Sequence, residues 1–260
     1  MLVVGVLTRP NKLAVHRAML DTWMKPRNNF EAHFVMNCDH KRLRPPPGSI
    51  CTSNKGRSSL SRGRIKSFEW LAIAPQMFPM AQWIAKADDD VWVNVPVILR
   101  ELGVSAPEWT MFGLGMYMSE EKLRFEGTFD ESWHRSRAVF PYLQGGFRVY
   151  SSDILHDRTV QESLRRNKDV FMTKGKTIGE DALSAWSIGQ AQPNRTLTLL
   201  HQTWTRFHFL QRDWETNPRG GLGWVHPTNA SEVVHWLKYG SREFHMLQDA
   251  VTSTNVAFPS

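Results

Sequence analysis

The chain has 260 residues, 41% of them apolar and 22% charged, a balance that excludes a disordered chain and suits one large α/β domain or two small ones. The formal charge is +7 and the pI near 9.6, with the positives gathered in HKRLRPPP (His40–Pro47) and KGRSSLSRGRIK (Lys55–Lys66). Such patches suit anionic partners; with no nucleic-acid-binding motif beside them, a nucleic acid is not the expected one.

Leu2–Leu7 is an unbroken apolar run, the pattern of a parallel strand covered on both faces. It is too short for a signal-peptide core or a membrane span, and no later segment reaches 18 uninterrupted apolar residues. The Thr8-Arg9-Pro10-Asn11 turn leads to a helix over about Leu13–Trp23. Phe30–Met36 reads as a second strand, and a Pro- and Lys/Arg-rich loop follows to about Ser58. Residues 60–74 read as a helix, and Trp83–Ala87 as a third strand. Asn94 is a candidate N-cap with Pro96 in the first turn, and Gly103 a candidate stop. Met111–Met118 is a further strand, and residues 119–140 are polar and irregular. Val149 and Tyr150 close a short strand after Gly145-Gly146. Ser151–Val160 and Asp181–Gln190 look helical, Leu197–Leu200 looks like a strand, residues 205–223 like a loop, and Ser231–Lys238 like a last helix. Strands alternating with helices over the first 120 residues argue for a mainly parallel sheet.

The two cysteines, Cys38 and Cys51, lack the C-x-x-C spacing of a zinc site; a disulfide and two free thiols both suit them. Two sequons, at Asn194 and Asn229, fit a lumenal protein. Most of the eleven tryptophans are expected in the core, with a minority free to face a sugar.

The segment WIAKADDDVWVNV (Trp83–Val95) poses the chemical question. Carboxylates are costly to bury unpaired, yet Asp88-Asp89-Asp90 ends an apolar strand. In open α/β sheets ligands bind outside the carboxyl ends of strands, and Mg²⁺ or Mn²⁺ takes one or two carboxylates together with substrate phosphates. The triplet therefore suits either a cation site beside a diphosphate or a solvated acidic turn.

Five stretches, in order, resemble the β-1,3-glycosyltransferase family of galactosyl- and N-acetylglucosaminyltransferases, which is related to Fringe. WIAKADDDVWVNVPVILREL resembles its K-x-DDD-x-(F/Y/W)-V-N segment, and GVLTRPNKLAVHRAMLDTW its opening strand and helix. FPYLQGGFRVYSSDIL resembles its P-Y-(x)-x-G-G-(x)-Y-V-L-S motif, GEDALSAWSIG its E-D-V-x-x-G motif, and GWVHPTNASEVVHWLK its late V-H segment. The likeness runs over about residues 3–238. It implies a GT-A nucleotide-sugar transferase fold, an α/β architecture whose Rossmann-like, mostly parallel sheet carries a smaller acceptor-side lobe. It also implies one catalytic domain over 1–240, with a nucleotide-binding half at 1–103, an acceptor-binding half at 104–240 and a tail at 241–260.

The resemblance implies a UDP-sugar donor, a glycan or glycoprotein acceptor, and Mn²⁺ or another divalent cation. By motif, Asp88, Asp90 and His226 would hold the metal. Thr8, Arg9, Arg17, Lys66, Asp88, Asp89, Gly145, Gly146 and Glu180 would line the nucleotide-sugar. Asp181 would be the general base of an inverting displacement; a carboxylate there also suits a helix start, and the two roles are compatible. Gly145-Gly146 would let backbone approach the sugar or acceptor, or form an ordinary turn. A Golgi location, lumenal or as a type II membrane protein, is implied only through an anchor that this chain, starting at its first strand, does not show.

The chain departs from the family pattern. Leu20 stands where the first helix usually has Arg, Val15-His16 where it has a double arginine, and Ala182 where the E-D motif has Val. Arg9 and Arg17 are the nearby substitutes for nucleotide contacts. These departures also fit a catalytically inactive nucleotide-sugar or glycan-binding relative. A haloacid-dehalogenase-like phosphatase is disfavoured, because its D-x-D ends the first strand and Trp92 stands where it needs Thr or Val.

Overall fold

A computed structural model describes residues 1–38, 45–52, 59–103, 108–118, 140–174, 180–192, 195–202 and 252–256. Its strands are β1 (Leu2–Leu7), β2 (Phe30–Asn37), β3 (Ile50–Thr52), β4 (Trp83–Asp88), β5 (Thr110–Met118), β6 (Phe140–Ser151), β7 (Leu197–Gln202) and β8 (Thr252–Val256). Its helices are α1 (Leu13–Asp21), α2 (Ser59–Met77), α3 (Val95–Gly103), α4 (Ser152–His156), α5 (Arg158–Lys174) and α6 (Glu180–Ala191).

The strands form one sheet in the order β3-β2-β1-β4-β6-β5-β7-β8. From β3 to β4 all neighbours are parallel. β6 then runs antiparallel to both β4 and β5, β5 and β7 are parallel, and β8 closes the far side antiparallel to β7. β1 is buried along its whole length, as its unbroken apolar run predicts. Strand side chains alternate between faces. Val3, Leu7 and Ile84 pack with α2, α4, α5 and α6 on one face, whereas Leu2, Val4, Val6 and Ala85 pack with α1 and α3 on the other.

Four elements depart from the sequence reading. β3 lies inside the stretch expected as loop, and a Cys38–Cys51 disulfide with Cα atoms 5.4 Å apart fastens it to the end of β2. Gly145-Gly146 sits within the twelve-residue β6, where the β5–β6 register shifts between Gly113 and Gly115, and does not precede a short strand. The helical stretch after β6 divides into α4 and a longer α5; Asp157 is the break, its Oδ1 accepting the Thr159 and Val160 amides at 2.8 and 3.1 Å as an N-cap. Thr252–Val256, within the expected tail, is a strand. Among the described residues no helix is long and apolar enough to cross a membrane.

Candidate active site at the end of β4

The site starts from a lysine in the wrong place. Lys86 lies in the middle of β4 and is 1% exposed. A buried ammonium is costly unless it is paired and hydrogen-bonded. It is paired twice: Nζ lies 2.6 Å from Asp88 Oδ1 and 3.2 Å from Glu180 Oε1. Alternation along β4 sets Ile84, Lys86 and Asp88 on the face covered by α2 and α6, and α6 begins at Glu180. The second acidic motif is thereby drawn onto the first.

A second buried cation completes the cluster. Arg148 pairs with Lys86 across the antiparallel β4–β6 ladder and is fully buried. Its guanidinium donates to Ser184 Oγ at 3.0 Å, Ser67 Oγ at 2.9 Å and Glu180 Oε1 at 3.2 Å. Asp181 follows Glu180 in the first turn of α6, and its Oδ1 accepts the Ala182 amide at 2.9 Å. The last paired couple on this ladder is Ala87–Phe147, so continuing it by one residue sets Gly146 beside Asp88, with Gly145 next along β6.

The charges are not balanced alike. Burial pushes the Asp88 carboxyl up to about 7; the Glu180 and Asp90 carboxylates add to the effect and Lys86 opposes it. Burial also raises Asp181, and the adjacent Glu180 charge raises it further. Glu180 goes the other way: burial disfavours its charge, but Lys86 and Arg148 together outweigh burial and hold it below the usual carboxylate range. Of two neighbouring carboxylates, one is locked as an anion and the other is made more basic. Divergent pairs of this kind are the usual sign of divided acid–base roles.

A third cluster closes the other side. Asp89 is buried; its Oδ2 accepts the Thr8 hydroxyl at 2.7 Å and its Oδ1 accepts Lys12 Nζ at 2.7 Å. His16 Nε2 lies 2.8 Å from Thr8 Oγ1, and Lys66 Nζ donates to the Thr8 carbonyl at 2.5 Å. Burial lowers the pKa of both Lys66 and His16. The middle aspartate of the triplet thus ties the end of β1 to the end of β4.

The structure brings together Thr8, Lys66, Asp88, Asp89, Glu180 and Asp181, with Asp90 in the turn after β4 and Gly145-Gly146 on the neighbouring strand. Arg9 and Arg17 are exposed, and the buried His16 takes the place against Thr8. His226 lies outside the described residues. Sequence reasoning passed over Lys86, Arg148, Lys12 and His16. The first two carried a signal: each is a lone charge in an apolar strand, which demands a partner.

Among the described residues no group of three His, Cys, Asp or Glu side chains is arranged to hold an ion alone. A divalent cation beside a diphosphate needs only one or two carboxylates, and Asp88 and Asp90 are the candidates for that part. Burial is the first cause of the raised Asp88, and a cation would relieve what the Glu180 and Asp90 charges add to it.

No protein-family model matches the chain, and no curated protein matches it in sequence. Solved structures match it in fold. A glycosyltransferase involved in glycosylating the major capsid of PBCV-1 superposes with a TM-score of 0.54 at 10% identity, over 91% of this chain and 98% of that one. Mouse xyloside xylosyltransferase 1 gives 0.42 at 13% identity over 91% and 92%. Core-mannan synthase A from Aspergillus fumigatus, in an Mn/GDP form, gives 0.41 at 9% identity over 72% and 69%. The likeness of fold rests on the first of these. The chain has the open, mostly parallel mixed sheet of the GT-A glycosyltransferases.

Proposed function

We propose that the chain is a metal-dependent inverting glycosyltransferase. It moves a hexose or N-acetylhexosamine, galactose or N-acetylglucosamine, from a UDP-sugar to a hydroxyl of a glycan or glycoprotein in β-1,3 linkage. The observation that carries this reading is the contact of two acidic motifs far apart in sequence: Lys86 bridges Asp88 at the end of β4 to Glu180 at the start of α6. The motif order behind the β-1,3 assignment supports the linkage, and the GT-A fold supports the reaction class.

Asp181 is the general base. As the acceptor oxygen bonds to the anomeric carbon, the bond from that carbon to the diphosphate oxygen breaks and the acceptor proton passes to Asp181; configuration inverts and UDP leaves. The raised Asp181 pKa suits a base that must take a proton near neutrality. Asp88 and Asp90, with His226, would hold Mn²⁺ or another divalent cation, which supplies charge neutralisation to the departing diphosphate. Thr8 and Lys66 stand at the nucleotide end with Asp89. The halves 1–103 and 104–240 divide donor from acceptor recognition. The Cys38–Cys51 disulfide supports an oxidising compartment such as the Golgi lumen.

The test is UDP release from UDP-galactose and UDP-N-acetylglucosamine with glycan acceptors, with and without Mn²⁺, and with GDP-sugars as controls. Metal-dependent turnover that falls at least about 100-fold in Asp181→Asn is expected. UDP binding without transfer would instead identify a non-catalytic binding relative, and unchanged turnover in Asp181→Asn would remove Asp181 from its role.

A further inference from the structure

Among the described residues Arg148 is the largest charged side chain with no exposure at all, and the reaction as described gives it no task. Its contacts are distributed unevenly. One goes to α2, through Ser67; the others go to two points on α6, Glu180 and Ser184, which are four residues apart and so lie on one face of the first turn. The chain of bonds does not stop at Ser184. That hydroxyl accepts from Arg148 and donates to the backbone carbonyl of Asp181 at 2.9 Å.

We infer that Arg148 is a positioning residue that sets where Asp181 points, acting through Ser184 on its backbone and through Glu180 on the turn that carries it. This inference rests on the glycosyltransferase reading. A planar guanidinium fits the task because its donors leave in fixed directions, so two contacts on one helix turn fix that turn in both height and roll. Lysine would restore the charge and not the geometry. The α6 helix is buried from Ala182 to Gly189, with Leu183, Trp186 and Ile188 in the core. Arg148 adds directional hydrogen bonds at its first turn, where Glu180 and Ser184 sit. The charged groups that face Asp181 are Glu180, Arg148 and Lys86.

The test compares the full chain with Arg148→Lys, Arg148→Met, Ser184→Ala and Asp181→Asn, reading kcat, donor KM, the pH profile of kcat, and thermal unfolding. Ser184→Ala keeps every charge and cuts only the relay. Its kcat is expected to fall about 10- to 100-fold, the scale of a misplaced reacting group, with donor KM and the acid limb of the profile unchanged. Arg148→Lys is expected to show the same kcat loss with a folded protein and an unmoved limb. Arg148→Met is expected to move the limb to higher pH, because a positive charge facing Asp181 is gone. Wild-type kcat in Ser184→Ala and Arg148→Lys, while Asp181→Asn is inactive, overturns the inference and leaves the glycosyltransferase reading standing. Loss of kcat in strict proportion to loss of folded protein overturns it too. No turnover by the unmodified chain, or full turnover by Asp181→Asn, overturns that reading and the inference with it.

Discussion

Lys86 and Glu180 are separated in sequence by two strands of the sheet, β5 and β6, and in space by 3.2 Å. The ammonium is 1% exposed and the carboxylate side chain 17%, so little water shares the interaction. With Asp88 on its other side, Lys86 is the pivot between the strand that ends in aspartates and the helix that begins with an acidic pair.

Removing that pivot leaves Asp88 without its cation and Glu180 with Arg148 alone. Lys86→Met is expected to cost about 3–5 kcal/mol of stability near neutral pH, as breaking a buried ion pair from one side does. Urea unfolding at pH 7 checks it. A loss below about 1 kcal/mol would show that Asp88 and Glu180 are solvated well enough to do without it.

Asp157 offers a cleaner pH signature, away from the site. Burial works against its charge, but hydrogen bonds from Thr159, Val160 and Gln192 win and hold its carboxyl below the usual aspartate range. A depressed folded value stabilises above the unfolded pKa and is lost as pH falls through the folded one. Asp157→Ala is therefore expected to cost about 1 kcal/mol at pH 7. The gap between mutant and wild type should begin to close below about pH 4 and narrow further as pH falls through the folded value. An equal gap at pH 7 and pH 3 would refute the capping role.

Gly5 pairs with Lys86 in the β1–β4 ladder, and a Cβ there would fall inside the indole of Trp70. Trp70 is fully buried and donates to the Ala85 carbonyl at 2.8 Å, so it has nowhere to retreat. Gly5→Ala is expected to destabilise by about 1–3 kcal/mol through overpacking. Adding Trp70→Phe makes room, so the double variant should lose less than the sum of the singles. Thermal unfolding of the four proteins reads the cycle, and strict additivity would count against the clash.

The Cys38–Cys51 bridge closes a loop of 13 residues' separation. Replacing both cysteines by serine is expected to cost about 2–3 kcal/mol, mostly by freeing the unfolded chain. Unfolding with and without reductant measures it: the reductant should destabilise the wild type and leave the double variant unmoved.

Much of the site was legible because its two acidic motifs break strong local patterns. Asp88–Asp90 interrupts an apolar run, and Glu180-Asp181 opens a helix, so each was visible in a short window. What joins them was not. Lys86 and Arg148 read as stray charges within apolar strands, and only the β4–β6 pairing shows that they are neighbours with a common partner. His16 looked like a lost arginine, and its place against Thr8 depends on how α1 packs, a tertiary matter. β3 was hidden because three residues between basic and proline-rich stretches carry no periodicity to detect. β8, TSTNV, has β-favouring Thr and Val but no apolar alternation to mark a strand, and its pairing with β7 is what reveals it.

The strand order has a consequence for how the chain assembles. β1, β2 and β4 are neighbours made from the first 88 residues, so this parallel group can form early. β5 comes next in sequence but has no place on that group, because β6 stands between them. The later half of the sheet must wait until the chain has turned back at β6. During synthesis, the edge of β4 that pairs with β6 stays open until residue 151 has emerged, and folding is expected to proceed in two stages, the second slowed by its long-range pairing.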